Sequence, residues 1–235
     1  MNRIFLVRHG GSTANRNPIF YNYSDSAVCL TTQGVRQALN TGGVLKQIDP
    51  RWEKPGNFAL EVYRSEYFRT YQTSRIALDQ MGLLPVQPAV SPLLNERDYG
   101  TAYEPAMDTD PNCDLNGSES SVKARLRLRE FLEQVTPILP RADVMAFSHM
   151  GAMRALIAEI LGLSDDAMMK LDIPNGRAFQ FNGTPDAAGH WHFAEQPISE
   201  HLLTVDKETV SEPPKAPAAS EPRAALTRGG PSMRT

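Results

Sequence analysis

Two of the five histidines in this chain each follow a short apolar segment. His9 comes two positions after residues 4–7, and His149 comes two positions after residues 144–147. Short apolar runs predict buried strands, and ligands of open α/β sheets bind just outside the carboxyl ends of the strands. For either segment alone, a strand that merely ends in polar residues is an alternative. The recurrence in a chain with so few histidines favours a shared site.

The polar residues near these strand ends have the chemistry needed to transfer a phosphoryl group. Arg8, before His9, and Arg69, early in a predicted helix, offer planar guanidinium groups that match phosphoryl oxygens. A neutral imidazole can attack phosphorus and carry the group, and a charged one, such as His149, can stabilise the transferred oxygens. The carboxyl group of Glu96 could protonate the departing alkoxide and then deprotonate water. Composition alone does not bring these groups together.

The elements that would position these residues alternate between strand and helix over residues 1–194. This alternation predicts an α/β fold, a three-layer α/β/α sandwich with a mostly parallel central sheet and helices on both faces. The predicted strands span residues 4–7, 58–63, 86–90, 143–147, 175–181 and 190–194. The predicted helices span residues 33–46, 66–81, 120–135, 152–161 and 165–171. We expect Thr31 and Ser164 to cap the first and last of these helices, and residues 97–117 to form a loop.

For two of the predicted helices, the spacing of apolar residues indicates which side faces the core. In helix 66–81 the predicted apolar side contains the residues Phe68, Tyr71, Ile76 and Leu78. In helix 120–135 it contains Val122, Leu126, Leu128, Phe131, Leu132 and Val135. The basic residues of the second helix are predicted to form a solvated surface; they are Lys123, Arg125, Arg127 and Arg129.

Composition limits the classes of function. The chain has 235 residues, 41% hydrophobic and 22% charged, with a formal net charge of −3. These values are ordinary for a soluble globular protein, and they provide no basic field for nucleic acid or an anionic membrane. No secretory signal or membrane-spanning stretch is evident, so the cytoplasm is the expected location. The oligomeric state is left open.

The remaining chemical candidates are weaker. Cys29 and Cys113 lack metal-type spacing and leave a reducing compartment or a single disulfide open. His190 and His192 fall on one face of a predicted strand, but nothing nearby completes a metal site, so we expect neither a metal nor a cofactor. Residues 206–235 are rich in Pro and Ala, contain no aromatic residue, and are predicted to be a disordered tail after a domain of residues 1–205.

Five motifs, in chain order, resemble the histidine phosphatase superfamily, which includes cofactor-dependent phosphoglycerate mutases and many phosphomonoesterases. They cover about residues 1–182. The matching segments are Arg8-His9-Gly10 with Asn15; Leu30-Thr31 with Gly34 and Gln37-Ala38; Ser65 with Arg69-Thr70, Gln72 and Thr73; Leu94-Asn95-Glu96 with Gly100; and Ser148-His149-Met150-Gly151 with Arg154. Each motif is weak alone, but five in the right order are highly specific.

The resemblance implies a role for each matched residue. It implies that His9 is the nucleophile, that His149 acts in the phosphate pocket, and that Glu96 donates the proton. The residues expected to bind the substrate phosphate are Arg8, Asn15, Arg69 and Met150, the last through its backbone N–H. The implied substrate is a small phosphorylated molecule.

Three functions remain open at this point. A phosphatase is favoured because the tract from Glu96 to Ser120 is short and because the region of Tyr21 and Asp25 looks like broad-specificity phosphatases. A phosphoglycerate mutase and a non-catalytic phosphate-binding or scaffold protein are the alternatives.

Three departures from the family pattern are present, and the two at Gly11 and Met150 bear on the polarity and width of the pocket. Gly11 stands where many members have an acidic residue, Met150 replaces a glycine, and Ser118 is inserted in a Gly-Glu-Ser element.

Overall fold

A computed structural model describes residues 2–17, 28–49, 52 and 59–198. Three predictions lie outside these residues, wholly or in part: the tail at 206–235, the segment with Tyr21 and Asp25, and the start of the second strand at Phe58. The described strands are β1 (Arg3–Arg8), β2 (Ala59–Arg64), β3 (Ala89–Val90), β4 (Ala142–Ser148), β5 (Ala178–Pro185) and β6 (Trp191–Gln196). The described α-helices are α1 (Thr13–Arg16), α2 (Thr32–Ile48), α3 (Phe68–Met81), α4 (Ser121–Val135), α5 (Met150–Leu161) and α6 (Asp165–Met169).

The six described strands form one sheet in the order β3-β2-β4-β1-β5-β6. The first four strands of that order run parallel, and β5 and β6 are antiparallel to their neighbours. The α/β prediction with a mostly parallel sheet is therefore confirmed. The predicted hairpin at the end of the fold is present as β5 and β6, with shifted bounds.

Side chains alternate between the two faces of the sheet, as the two-residue repeat of a strand requires. On β1, Ile4 and Leu6 belong to one buried cluster, whereas Phe5 and Val7 belong to another. The first cluster includes residues of α4, α5 and α6, and the second includes residues of α2 and α3. Helices thus cover both faces. Burial of each large side chain stabilises the fold by about 2 kcal/mol before entropy costs.

The helix boundaries agree with the capping chemistry. The hydroxyl of Thr31 accepts a hydrogen bond from the N–H of Gly34 at 3.0 Å, and Ser164 caps α6 in the same manner through Ala167. Ser120 caps α4 by accepting from the N–H of Lys123 at 3.2 Å. These side chains satisfy N–H groups that have no partner within the first helical turn.

The predicted apolar face of α3 is wrong at its first turn. Tyr71 is 39% exposed and Phe68 is only half-buried, whereas Arg69, Thr70 and Thr73 are buried. The polar residues face inward because this turn of α3 lies against the end of the sheet, where polar groups find partners. Leu126 of α4, which is 55% exposed, is also wrongly assigned to the core.

The solvated basic face predicted for α4 is wrong for two of its four members. Arg125 donates hydrogen bonds to Glu159, Asp165 and two carbonyl groups. Arg127 makes a bidentate pair with Glu119 and also donates to carbonyl groups of residues 93 and 95. Both side chains are largely buried, and their hydrogen bonds to carboxylates and carbonyl groups offset the cost of burying the charge. Arg127 also ties the segment that carries Glu96 to α4.

The long loop predicted at residues 97–117 contains two short 3-10 turns, Pro105–Asp108 and Leu115–Gly117. Met107 and Cys113 are buried within it, which gives this segment its own anchors. In the described structure no disulfide joins Cys29 and Cys113. Within the described ranges, no helix is long and apolar enough to span a membrane.

Candidate active site

Strand register brings the two histidines together. Arg8 of β1 lies opposite Ser148 of β4, so His9 and His149 both follow aligned strand ends. Arg64 of β2 lies opposite Phe147 of β4, which places Ser65, the residue after β2, beside the same edge. The imidazole centroids of His9 and His149 are 5.1 Å apart. The carboxyl edge of the parallel strands is therefore the candidate site that the sequence predicted.

Glycine allows a close approach of the loop after β1 to the start of α2. A Cβ atom at Gly10 would lie 2.3 Å from the carbonyl oxygen of Gly34, and one at Gly34 would lie 2.0 Å from that of Gly11. Any side chain at these positions would push the segments apart. The N–H of Gly11 donates to the Gln37 side chain at 2.7 Å, and that of Gly10 donates to the Thr73 hydroxyl at 3.1 Å. The loop that carries His9 is thereby fixed from two helices.

His9 is buried and its hydrogen bonds define its tautomer. Nδ1 lies 2.7 Å from the carbonyl oxygen of Gly10, which can only accept, so Nδ1 carries the proton. Nε2 lies 3.3 Å from Nε of Arg69, a donor, so Nε2 presents its lone pair. Burial and then the charges of Arg69 and Arg8 hold the pKa of His9 well below its usual range. The side chain is thus a neutral imidazole whose unprotonated Nε2 lies beside a cation.

His149 is also buried, and it precedes α5 as the N-cap residue. Its Nε2 lies 2.8 Å from the Ser65 hydroxyl, and its Nδ1 is buried without a hydrogen-bond partner among the described residues. The ring packs edge-on against Tyr67 at 5.0 Å between centroids. Burial is the first cause that lowers the pKa of His149, followed by Arg69, His9 and two further arginines.

The two arginines predicted for the pocket lie close enough to act on both imidazoles, since their charges lower both pKa values. Arg69 is buried, and its guanidinium carbon lies 4.6 Å from the centre of the Tyr67 ring. Arg8 donates a hydrogen bond to the carbonyl oxygen of Ile173. Two buried or half-buried cations beside neutral rings form an environment suited to an anion.

Glu96 lies against the first turn of α5. Its Oε1 accepts hydrogen bonds from the N–H of Arg97 at 2.9 Å and from that of Ala152 at 3.1 Å. A Cβ at Gly151 would lie 2.8 Å from the same oxygen, so a glycine is needed there for the carboxylate to reach the helix. Glu96 is half-buried and so keeps some access to solvent.

Of the three departures from the family motifs, two now have a structural setting. The side chain of Met150 is half-buried and packs against the core on the α4–α5 side of the sheet. Its N–H belongs to the first turn of α5, where backbone donors lack helical partners. Gly11 uses its N–H and its carbonyl group to join the His9 loop to α2, through Gln37 and Thr31.

Asn15 lies at the rim of this region and is exposed. Its Oδ1 accepts from the backbone and hydroxyl groups of Ser12, at 3.0 and 2.9 Å. The Asn175 side chain donates to that same oxygen at 3.4 Å and to the carbonyl oxygen of His9 at 3.1 Å. The Asn15 oxygen is thus committed to local bonds.

Sequence reasoning gave no role to several residues that support the site. Ser65, Tyr67, Thr73 and Asn175 contact the histidines or their loop. Ser65 and Thr73 belong to the motif that contains Arg69, which was the available signal. Asn175 gave no signal, because it lies in a turn before β5 and far along the chain from His9.

The described residues contain no group of three or more His, Cys, Asp or Glu side chains arranged to hold a metal ion. His190 and His192 are both exposed, and each places one ring nitrogen 3.3 Å from the same oxygen of Asp186. The backbone N–H of His190 is the largest cause that lowers the pKa of Asp186 to about 2, followed by the hydrogen bond from the His192 side chain.

The fold and this edge define an α/β/α protein with paired imidazoles at the carboxyl ends of its parallel strands. A family model for the histidine phosphatase superfamily (branch 1) matches residues 4–189. The chain belongs to the histidine phosphatase superfamily.

Its relatives carry different activities in their names. The 2,3-bisphosphoglycerate-dependent phosphoglycerate mutase of Streptococcus pyogenes is 26% identical over 217 residues, which cover 74% of this chain and 90% of the mutase. A mycobacterial glucosyl-3-phosphoglycerate phosphatase is similar in structure with a TM-score of 0.64 and 20% identity, covering 83% of this chain and 97% of its own. A putative alpha-ribazole-5'-P phosphatase of Escherichia coli gives a TM-score of 0.62 and 22% identity, covering 87% and 98%. The structural similarities show the fold, and the family includes both mutase and phosphatase relatives.

Proposed function

We propose that this protein is a phosphomonoesterase that hydrolyses a small phosphorylated substrate through a phosphohistidine on His9. The observation that carries the proposal is the state of His9, which is buried and neutral, with its proton on Nδ1 and its Nε2 lone pair beside Arg69. An imidazole in this state is a nucleophile that needs no base.

In the first half-reaction, Nε2 of His9 forms a bond to phosphorus while the bond from phosphorus to the ester oxygen breaks. Glu96, as the carboxylic acid, gives its proton to the departing oxygen. Arg8, Arg69 and His149 hold the phosphoryl oxygens as charge is redistributed. We assign the N–H of Met150 and the side-chain amide of Asn15 to the same pocket, as further donors.

In the second half-reaction, water attacks phosphorus and the nitrogen–phosphorus bond breaks. The Glu96 carboxylate takes the proton from water and returns to the acid form, and inorganic phosphate leaves. The same carboxyl group therefore serves as acid and then as base.

Phosphoglycerate mutase activity is the second candidate, and its support is the similarity to the streptococcal mutase over most of both chains. A mutase keeps its phosphohistidine long enough to return the group to the product, whereas a phosphatase lets water reach it. The short tract between Glu96 and Ser120 favours access of water.

One assay separates these functions. The protein is incubated with p-nitrophenyl phosphate, with a panel of phosphorylated metabolites and with 3-phosphoglycerate, and both free phosphate and 2-phosphoglycerate are measured. We expect free phosphate, together with an acid-labile phosphohistidine in rapidly quenched samples. Formation of 2-phosphoglycerate without free phosphate would establish the mutase instead. The absence of both turnover and labelled histidine would contradict both enzymes and favour a binding protein.

A further inference from the structure

Ser65, which follows β2 and contacts His149, belongs to a chain of hydrogen-bonded hydroxyl groups. The Ser65 hydroxyl lies 2.8 Å from Nε2 of His149 and 2.7 Å from the Thr70 hydroxyl. The Thr70 hydroxyl lies 2.6 Å from the carbonyl oxygen of Tyr67. All three of the contacting side chains, those of Ser65, Thr70 and His149, are buried, so no solvent competes for their hydrogen bonds.

The number of available protons fixes the direction of the hydrogen bonds along these hydroxyl groups. A carbonyl oxygen only accepts, so the 2.6 Å contact requires the Thr70 proton. Thr70 then has none left for Ser65, and Ser65 must donate to Thr70. Ser65 in turn has none left for His149, so Nε2 of His149 must carry a proton and donate to Ser65. The N–H of Tyr67 also donates to Ser65, at 3.2 Å, and completes its accepting capacity.

The reverse direction leaves one short contact without a proton. If Thr70 donated to Ser65 and Ser65 donated to His149, the Thr70 oxygen and the Tyr67 carbonyl oxygen would face each other at 2.6 Å as two acceptors. Two buried acceptors at that separation repel. Only the first direction puts one proton in each short contact.

This direction determines what His149 can offer to an anion. With Nε2 committed to Ser65, a ligand beside the ring can reach only Nδ1, the buried nitrogen that has no partner among the residues described. In the neutral ring with a proton on Nε2, that nitrogen is a lone pair and would repel a phosphoryl oxygen. It becomes a donor only after it takes up a proton.

We propose that Ser65 and Thr70 form a hydroxyl relay that holds His149 as its Nε2–H tautomer, so that His149 takes up a proton at Nδ1 whenever it binds a tetrahedral anion. The inference rests on the proposed function for the nature of the anion, but the tautomer of the free protein does not depend on it. Ser65 and Thr70 are positioning residues, since they act on the anion only through the ring.

The groups around His149 are consistent with a proton that arrives with the anion. The charged or titratable groups that act on the ring are Arg8 and His9 after β1, Arg69 on α3 and Arg127 on α4. Tyr67 packs against the ring, and Glu96 is held at the first turn of α5, the helix that His149 caps. The arginines and burial disfavour a charged ring in the empty site. A dianion among them reverses the local balance of charge.

The first test reads the tautomer directly by ¹H–¹⁵N spectroscopy of the histidine side chains, with the His149 signals identified by their loss in His149→Gln. We expect free wild-type protein to show a proton on Nε2 of His149 and none on Nδ1. Tungstate is a tetrahedral dianion above about pH 7, and its binding should be accompanied by uptake of a proton at Nδ1. A proton on Nδ1 in the free protein would overturn the inference.

The second test removes one hydroxyl. In Thr70→Val the Ser65 proton is released and can turn to Nε2 of His149, which should switch the ring to the Nδ1–H tautomer. Thr70→Ser keeps the hydroxyl and is the matched control, with the wild-type tautomer expected. We expect kcat/KM for p-nitrophenyl phosphate to fall about tenfold in Thr70→Val, as a charged donor becomes a neutral one.

The third test measures proton uptake through pH. Above about pH 7 the free ring is neutral, so uptake of one proton should weaken tungstate binding about tenfold for each pH unit. The slope of log Kd for tungstate against pH should be shallower by about one proton in Thr70→Val and unchanged in Thr70→Ser. Equal slopes in all three proteins would refute the relay.

The failure of the proposed function gives a different pattern. In that case wild-type protein neither binds tungstate nor releases phosphate from any substrate, while the tautomer of free His149 still confirms or contradicts the relay. If the wild type binds and turns over but Thr70→Val keeps the Nε2–H tautomer, the relay alone is wrong.

Discussion

The two histidines of the site come from equivalent positions after β1 and β4, yet they present opposite ring nitrogens. His9 donates its Nδ1 proton to the next peptide carbonyl, that of Gly10, and leaves the Nε2 lone pair facing Arg69. The Nε2 of His149 is hydrogen-bonded to the Ser65 hydroxyl, and its Nδ1 has no partner in the described structure. Burial and the same arginines lower the pKa of both.

The hydrogen-bond partner of one ring nitrogen therefore determines what the other nitrogen of a histidine can do. A carbonyl partner fixes the proton of the neutral His9 ring on Nδ1 and leaves Nε2 unprotonated, because a carbonyl oxygen cannot donate. A hydroxyl partner could point either way, and its direction at His149 depends on Thr70. The nucleophile is therefore fixed by the backbone, while the anion-binding ring is fixed by side chains.

The largest effects are expected when each of the two rings is removed in turn. We expect His9→Ala to lose at least about 10³-fold in kcat and to form no phosphohistidine, since the nitrogen proposed to attack phosphorus is removed. His149→Ala should lose about 10²–10³-fold yet still label His9, more slowly. Quenched samples with ³²P-labelled substrate test both. Stoichiometric label on His149 in the His9→Ala protein would reverse the roles.

The sequence predicted the pair but not the tautomers. Apolar runs before each histidine indicated parallel strands, and register then aligned their ends as expected. The partners come from elsewhere, because Ser65 follows β2 and meets His149 only through the pairing of β2 with β4.

Helical faces were predicted less well than strands. The pattern rule assigns apolar residues to the core, but the first turn of α3 buries Arg69 and Thr70 at the site and exposes Tyr71. Arg125 and Arg127 likewise found buried carbonyl groups, which a local pattern cannot reveal. The sequence therefore predicted the layers of the fold more reliably than the polar contacts between them.

The next effect in size concerns the cation beside Nε2 of His9. Arg69→Lys should lower kcat/KM for p-nitrophenyl phosphate about 10²-fold, because an ammonium group cannot reproduce a two-pronged guanidinium contact with phosphoryl oxygens. Arg75→Lys, on the same helix with a side chain that bonds a surface carbonyl group, is the matched control and should retain activity. Near-normal activity in Arg69→Lys would remove Arg69 from the pocket.

Glu96 gives an effect whose size depends on the substrate. Glu96→Gln should slow alkyl phosphates about 10²–10⁴-fold, as expected for loss of a general acid, and slow p-nitrophenyl phosphate far less because its phenolate leaves without a proton. Asp108→Asn is the comparison, since that carboxylate already accepts from Arg97 and Tyr103. It should slow both substrates little and equally. A leaving-group dependence in Asp108→Asn but not in Glu96→Gln would transfer the role to Asp108.

The smallest effect is on stability, and here we expect the two histidines to behave alike. Both are neutral in the folded protein, with pKa values held well below the usual value of about 6.5 by burial first and then by arginine charges. Above about pH 6.5 neither state of the chain protonates them, so they add no pH dependence. Below it the unfolded chain binds protons that the folded one refuses, and stability falls with pH until the folded rings titrate.

Each ring should contribute about 1.4 kcal/mol of lost stability per pH unit in that window. We therefore expect His9→Gln and His149→Gln each to flatten the fall in unfolding free energy between about pH 6.5 and 5 by that amount, measured by urea denaturation at several pH values. Between pH 7.5 and 8.5, both variants should run parallel to wild type, which provides the internal control. If only one variant flattened the fall, the other ring would already be charged in the folded protein. The equivalence of the two buried imidazoles would then fail, because burial and arginine charge would not act on both rings alike.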